Sequence, residues 1–190
     1  MVSGFKQGFT VSCDEFQTNL TCHNLPSAVA RPEIVLDKIA KELLRGRIAG
    51  PFYDHPFPNF HISPLGLCPK KDPNKFRMTH HLSYPKGLSV NDFIPPEFTS
   101  VQYTKVQDAI MGIKQFKSPC YLVKCDIEIY PLVRLTIIYF GFKWKNLFYY
   151  DKCLAMGYSS ACQIFERFST ALEWIGKILY ARRTYISHFG

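Results

Sequence analysis

The chain has 190 residues, which is long enough for one domain with a substantial hydrophobic core. Apolar residues make up 47% of it and charged residues 20%, a composition that argues against wholesale disorder, and the sequence contains no apolar run long enough to span a membrane. The formal net charge of +8 favours an acidic partner, with nucleic acid as the first candidate, although a basic excess can also serve solubility alone.

The seven cysteines give no sign of a disulfide framework or of a metal site. Their number is odd, no Cys-x-x-Cys pair occurs, and the chain does not open on the pattern of a secretory leader. Cys13, Cys22 and His23 lack a zinc-binding spacing, and so does the pair His80 and His81. We therefore expect an intracellular protein with reduced thiols, without distinguishing cytoplasm from nucleus.

The first half of the chain predicts one helix followed by short strands and loops. Residues 1–30 show no clear periodicity and are interpreted as a leader of unclear structure. A helix is predicted to begin at Pro32, which suits a first helical turn, and to end at Gly46. Six prolines between residues 60 and 100 indicate strands and loops there. The apolar stripe of the predicted helix consists of Ile34, Leu36, Ile39, Ala40, Leu43 and Leu44.

The second half combines helices and strands without strict alternation, which indicates an α+β fold. A helix is predicted over residues 103–116, a strand over 121–129, a strand pair over 135–144 and 147–150, and a last helix over 159–179. The predicted buried face of the last helix consists of Ala161, Ile164, Phe165, Phe168, Leu172, Ile175 and Leu179.

Residues 63–77 form the most informative segment. They predict a short apolar strand, a turn around Pro73-Asn74 and a returning strand. Such a hairpin presents Lys70, Lys71, Lys75 and Arg77 from a small area, and lysine and arginine bind phosphate as a point charge and as a bidentate fork. The segment therefore predicts a polyphosphate site, with a solvated basic turn as the alternative.

Four blocks of sequence carry a resemblance to a known family. They read HHLSYPKG at 80–87, SVND at 89–92, VKCDIE at 123–128 and LAMGYSSACQIF at 154–165. In this order and spacing they resemble the fingers and first palm motifs of reverse transcriptases, and most closely those of DIRS-like retrotransposons, which carry a tyrosine recombinase. The resemblance covers about residues 45 to 176.

The resemblance implies the fingers subdomain and a partial palm of a right-hand polymerase. Residues 31–120 would be fingers-like and residues 121–180 the partial palm, whereas residues 181–190 look like an unrelated tail. The catalytic hairpin, the thumb and the rest of the palm have no counterpart in the sequence. The reaction of the family is RNA-directed DNA synthesis, in which a dNTP is joined to a primer 3′ end on an RNA or DNA template.

The resemblance also implies roles for individual residues. Lys70 and Arg77 match the fingers residues that hold the triphosphate of the incoming dNTP. Lys71 takes the place of Lys70 if the alignment is shifted by one residue. Met156 and Gly157 match the loop that packs against the nucleotide, where a glycine permits close approach of the backbone.

Three further residues complete the implied site. Asp126 matches the first metal-binding aspartate of the palm and implies Mg²⁺, which prefers oxygen ligands. Read without the resemblance, this aspartate is better interpreted as a cap on a turn at the end of a strand. Gln163 and Lys75 are assigned to binding of the primer–template.

The sequence departs from the family pattern in ways that affect activity. It contains no Asp-Asp pair, and the connection after Asp126 lacks the expected aromatic residue that excludes ribonucleotides. Ala155 stands where the family has proline. We therefore expect a truncated fragment without polymerase activity of its own. The alternatives left open are a nucleic-acid-binding module without chemistry and a non-functional relic of a retroelement.

Overall fold

Two small antiparallel sheets, with helices packed against them, form the described part of the fold. The computed structural model of the protein describes residues 20–101, 105–115 and 136–179. Its helices are α1 (Pro26–Val29), α2 (Pro32–Leu44), α3 (Val106–Gln115) and α4 (Ala161–Leu179), and its strands are β1 (Ile48–Phe52), β2 (Leu65–Pro69), β3 (Phe76–His80), β4 (Gly141–Trp144) and β5 (Leu147–Asp151). Short 3₁₀ turns lie at Val90–Phe93, Pro96–Phe98 and Ile137–Tyr139. The expected mixture of helices and strands is confirmed.

The three-stranded sheet has the order β1-β5-β4 and joins distant parts of the chain. Ile48 of β1 pairs with Asp151 of β5, so residues predicted as fingers-like and as palm share one sheet. The β4–β5 hairpin turns at Lys145 and Asn146, both with positive φ, as a tight two-residue hairpin requires. The predicted strand pair is thus present, but β4 is shorter than expected because residues 137–139 form a 3₁₀ turn.

The two-stranded sheet is the basic hairpin predicted from residues 63–77. β2 and β3 pair from Leu65 with His80 to Pro69 with Phe76. The structure confirms both predicted strands and the position of the turn. Sequence could predict them because the strand and turn signals of this segment are local.

Residues 20–31 belong to the fold although sequence patterning predicts no element there. The Asn24 amide accepts a hydrogen bond from Leu65 N (2.9 Å) and donates one to Lys143 O (2.8 Å). Ser27 Oγ accepts a further bond from Leu67 N (3.0 Å). One side chain thus connects β2 to β4, and this segment ties the two sheets together.

Two clusters of buried apolar side chains form the core. The first lies between α1, α2 and the two sheets and consists of Ala28, Val35, Ile39, Ile48, Leu65, Leu67, Phe142, Trp144 and Tyr149. The second lies under the loops of residues 82–98 and the start of α4 and consists of Leu82, Val90, Ile94, Ile137, Phe140, Ala155, Tyr158 and Ile164. The segment around residues 80–82 and strands β4 and β5 connect the two.

The predicted buried face of α4 is only partly correct. Ile164 is buried in the second core, but Leu172 and Ile175 are 44% and 43% exposed. The same holds for α2, where Ile39 of the predicted stripe is buried but Leu36 and Leu44 lie at the surface, and Val35, which is not part of the predicted stripe, is fully buried. Helical periodicity identifies an apolar stripe, but the neighbouring elements decide how much of it is covered. No helix within the described ranges is long and apolar enough to cross a membrane.

Candidate functional site

A cleft of about 400 Å³ lies between α2, the edge of β3 and the segment that follows β5. Lys70, Arg77 and Met156, which the sequence assigns to nucleotide binding, all line this cleft. They come from the hairpin and from a loop almost eighty residues further along the chain. The fold therefore brings three of the predicted residues to one concave surface of a size typical of ligand sites.

The lining of the cleft is predominantly basic. Its cationic side chains are Lys38, Arg45, Arg47, Lys70 and Arg77, and its carboxylates are Glu42 and Asp151. Glu42 contacts both arginines of the α2 side, with Oε1 2.9 Å from Arg45 Nη1 and Oε2 3.5 Å from Arg47 Nη1. Neither Lys70 nor Arg77 forms an ion pair within the described part of the chain. The hairpin side of the cleft thus presents uncompensated positive charge.

Short-range hydrogen bonds and one ion pair hold the hairpin turn. Asp72 Oδ1 accepts a hydrogen bond from Asn74 N (3.0 Å), and Lys70 N donates to Lys75 O (2.8 Å) across the turn. Lys75 Nζ lies 3.2 Å from Asp72 Oδ2, so this lysine pairs within the turn itself. Lys75 and Lys71 do not line the cleft.

The loop of Met156 and Gly157 is held by Asn91 of the SVND block. Asn91 Nδ2 donates to Gly157 O and to Ser83 Oγ, both at 2.8 Å, and its Oδ1 accepts from Ser159 N at 2.9 Å. Gly157 has φ +100°, and a Cβ there would lie 3.3 Å from His80 O. The loop therefore requires glycine, and Met156 next to it is 62% exposed at the mouth of the cleft.

The turn that carries Asn91 has its own cap. Asp92 Oδ2 accepts hydrogen bonds from Ser89 Oγ, Ser89 N and Gly87 N, which is a capping box around the first 3₁₀ turn. The bond from the Ser89 hydroxyl is the main cause that lowers the pKa of the Asp92 carboxyl. The motif that resembles a polymerase block therefore has a clear structural role, which is to hold the loop at residues 156–159.

His80 lines the base of the cleft and connects β3 to the three-stranded sheet. Its Nδ1 lies 3.1 Å from Asp151 Oδ2, and its Nε2 lies 2.9 Å from Gly141 O. His61 is buried nearby, and burial together with the charge of His80 lowers the pKa of His61 to about 4. From sequence, His80 is part of a rejected metal pair and of the HHLSYPKG block, and neither pattern predicts that it joins the two sheets.

The remaining predicted residues lie apart from the cleft. Gln163, near the start of α4, donates from Nε2 to Glu97 O (3.2 Å) and so docks the helix on the second 3₁₀ turn. Asp126 lies outside the described residues, and its role as a metal ligand stays a prediction. Among the described residues, no group of three or more His, Cys, Asp and Glu side chains is arranged to hold a metal ion. The described residues thus offer no carboxylate set to Mg²⁺.

Sequence reasoning also missed the α2 side of the cleft. Lys38, Arg45 and Arg47 are ordinary surface cations of an amphipathic helix end when read as sequence. The packing of α2 against β1 and β3 brings them beside the hairpin. The signal in the sequence that could have drawn attention to this side is the pair Arg45 and Arg47, which directly follows the apolar stripe of the helix.

Comparison with known proteins finds similarity in structure but not in sequence. No protein-family model matches the chain, and no curated protein matches it. A crystal structure of the prototype foamy virus protease-reverse transcriptase, CSH mutant, matches with a TM-score of 0.54 and 15% identity over 95% of this chain and 22% of that chain.

Two foamy viral structures with bound double-stranded DNA give similar results. The protease-reverse transcriptase dRH complex matches with a TM-score of 0.51 and 16% identity, covering 95% of this chain and 28% of that chain. A second protease-reverse transcriptase complex matches with a TM-score of 0.50 and 17% identity, covering 91% of this chain and 32% of that chain. The chain thus spans less than a third of the length of these solved chains and has a fold like that of part of a viral reverse transcriptase.

Proposed function

We propose that the chain is the fingers and first part of the palm of a reverse transcriptase of the DIRS-like retrotransposon kind, and that its cleft binds the triphosphate of an incoming dNTP. The observation that carries the proposal is the convergence of Lys70, Arg77 and Met156 on one cleft. The sequence motifs assign these residues to the incoming nucleotide independently of the geometry, and the fold is like that of part of a viral reverse transcriptase.

The chemistry of the cleft suits a polyphosphate. Lys70 and Arg77 are exposed and carry no ion pair within the described residues, so they can engage phosphate oxygens without breaking existing contacts. Arginine contributes a planar fork and lysine a point charge. Met156 offers an apolar surface to the sugar and base, while Gly157 leaves room beside it. Transfer of a nucleotidyl group depends mainly on such positioning and charge neutralisation.

Nucleic acid is the second partner in this proposal. The net charge of +8 favours it, and two of the similar solved structures are complexes of foamy viral enzymes with double-stranded DNA. Gln163 and Lys75 are proposed to contact the primer–template. Binding of this kind weakens steeply with salt because bound cations are released from the phosphates.

Catalysis by these 190 residues alone is not part of the proposal. The sequence contains no Asp-Asp pair, and Asp126 by itself is the proposed ligand for Mg²⁺. This observation favours a second candidate, a nucleic-acid-binding module that retains the nucleotide cleft without chemistry. A non-functional relic, the third reading, predicts a broad thermal transition instead of cooperative unfolding.

The proposal is tested by equilibrium binding of a dNTP to the purified chain. Arg77→Ala and Lys70→Ala should each weaken binding by about 10-fold or more, since each removes a charge-assisted contact of about 1.5–3 kcal/mol. Lys86→Ala, an exposed lysine away from the cleft, is the matched control and should bind normally. Lys71→Ala tests the alternative alignment, shifted by one residue, in which Lys71 and not Lys70 holds the triphosphate.

Two outcomes would count against the proposal. If the wild-type chain binds no dNTP, the cleft is not a nucleotide site. If Lys86→Ala weakens binding as much as Arg77→Ala, the attraction reflects overall charge and not the cleft. A primer-extension assay with Mg²⁺ provides the separate test of activity, for which no templated synthesis is expected.

A further inference from the structure

His80 is a buried histidine whose two ring nitrogens both face acceptor atoms. The side chain is only 5% exposed, with Nδ1 beside the Asp151 carboxylate and Nε2 beside the Gly141 carbonyl. Only the protonated ring can donate to both partners at once. The ring also makes a T-shaped contact with Phe142, with ring centroids 5.7 Å apart and planes at 83°. The ring is therefore fixed in place by three contacts to β4 and β5.

These contacts hold the hairpin against the other sheet. β3 has one strand neighbour, β2, and within the described residues His80 supplies the hydrogen bonds between β3 and the β4–β5 pair. Asp151 is itself rigid, because its backbone N donates to Phe140 O at 3.0 Å and it pairs with Ile48. The hairpin is thus attached to a firm part of the fold at this point.

The position of His80 connects both predicted nucleotide-binding segments. Arg77 precedes it by three residues in the same strand, so the strand transmits the placement of His80 to the arginine over roughly 10 Å. On the other side, His80 O packs against Gly157, next to Met156. A shift of His80 would therefore move both walls of the cleft.

We propose that His80, through its hydrogen bond to Asp151, is a positioning residue that sets the spacing between Arg77 and the Met156-Gly157 loop and so controls anion binding in the cleft. The proposal deepens the proposed nucleotide site and rests on it. His80 does not contact the ligand in this proposal. It acts by keeping the edge of β3 at a fixed distance from the segment that follows Asp151.

Two carboxylates near the cleft make it possible to distinguish an effect of His80 on the position of the cleft residues from an effect of charge on anion affinity. Asp151 and Glu42 are the two carboxylates that line the cleft. If only charge mattered, removing either would tighten the binding of an anion. If Asp151 positions the cleft through His80, removing it should weaken binding, whereas removing Glu42 should still tighten it. The two variants are predicted to have opposite signs.

The experiment measures binding of inorganic tripolyphosphate to the full chain by titration calorimetry. We expect Asp151→Ala to weaken binding by about 10-fold, the equivalent of one hydrogen bond to a charged group, and Glu42→Ala to tighten it. His80→Asn keeps a donor near Nδ1 and should bind close to wild type. His80→Gln places its donor near Nε2, loses the bond to Asp151 and should resemble Asp151→Ala. Circular dichroism checks that each variant is folded.

The same proteins are compared by hydrogen exchange of the peptides that cover residues 76–80 and 151–157. We expect faster exchange in His80→Gln and Asp151→Ala than in His80→Asn. If Asp151→Ala binds tripolyphosphate as tightly as wild type or more tightly, the positioning role is wrong, while the nucleotide site stands provided that Arg77→Ala still loses binding. If the wild-type chain binds no tripolyphosphate, the proposed function fails. In that case the hydrogen exchange still tests the positioning role. Exchange that is unchanged in His80→Gln and Asp151→Ala would overturn this role, and faster exchange in these two variants than in His80→Asn would support it.

Discussion

The two sides of the cleft are held in different ways. The β2–β3 hairpin presents Lys70 and Arg77 to solvent, and its order comes from short-range contacts, namely the pairing of its two strands and the bonds of Asp72 in the turn. A second side, lined by His80, Asp151 and Met156, is supported by hydrogen bonds that join residues 80–92 to residues 151–159 across 66 to 71 positions of the chain. The cations that would meet a phosphate thus lie on a locally ordered element, whereas the loop that carries Met156 is placed by a long-range network. Substitutions on the two sides should therefore separate binding from stability.

The largest expected effect arises in the buried part of the fold, away from the hairpin, and is a dependence of stability on pH through His61. Its pKa is lowered to about 4 in the fold, whereas an unfolded histidine titrates near 6.5. The unfolded state therefore binds more protons between these values, and stability that is complete above about pH 6.5 is lost as the pH falls toward 4. The loss amounts to about 3 kcal/mol.

Chemical denaturation at a series of pH values between 7 and 4 measures this dependence. His61→Asn should flatten the profile, while His23→Gln, which changes an exposed histidine, should leave it unchanged. A profile that stays equally steep in His61→Asn would assign the loss to other groups.

Removal of the Asn91 side chain should give the next largest effect. Asn91→Ala breaks hydrogen bonds to Ser83, Gly157 and Ser159, and we expect it to lower the free energy of unfolding by about 2–3 kcal/mol. Asn74→Ala is the matched control on the hairpin, where a change within about 0.5 kcal/mol is expected. Urea denaturation of the two variants compares the two sides directly, and equal losses would remove the distinction between them.

Gly157→Ala should be somewhat less damaging. The residue has φ +100°, and an added Cβ would meet His80 O at 3.3 Å, so we expect a loss of about 1–2 kcal/mol. Gly87→Ala has a similar φ of +84° but no atom within 4 Å of the added Cβ. The difference in melting temperature between the two variants separates the effect of the contact with His80 O from that of backbone strain. Equal melting temperatures would mean that His80 O moves enough to accommodate the added methyl group.

The smallest effect on stability is expected on the hairpin. Lys70→Ala and Arg77→Ala should change the free energy of unfolding by less than about 0.5 kcal/mol, because both side chains are exposed and lack an ion pair in the described part of the structure. Measured beside the dNTP titrations, this result would show that the loss of binding is not a loss of folding. A decrease of several kcal/mol in either variant would contradict it.

The same division explains how much could be predicted from sequence. The hairpin, α2 and the β4–β5 pair follow from local signals, such as Pro73-Asn74 at a turn or an apolar stripe after Pro32, and the structure confirms them. The cleft depends on the pairing of β1 with β5 and of His80 with Asp151, which have no local signature. Exposure of the second half of α4 was missed for the same reason, because periodicity does not reveal which neighbour covers a stripe.

The family motifs added what periodicity could not. They placed Lys70, Arg77 and Met156 in one site before any geometry was known, and the cleft brings these residues together. They gave no indication of Asn91 as a support for the loop at Gly157, since a motif records which residues recur and not which contacts they make. Asp126 lies outside the described residues, so its assignment stays a prediction.

The hydrogen bonds of Asn24 have a practical consequence for anyone who trims the protein. Because this one amide links β2 to β4, the domain boundary cannot be drawn at the start of the first long helix. A version that begins at Pro32 would also lose Ala28, which is fully buried in the first core, and would leave Leu65 N and Lys143 O without their partner. Shortened forms made for crystallography should therefore retain the chain from about residue 20 onward.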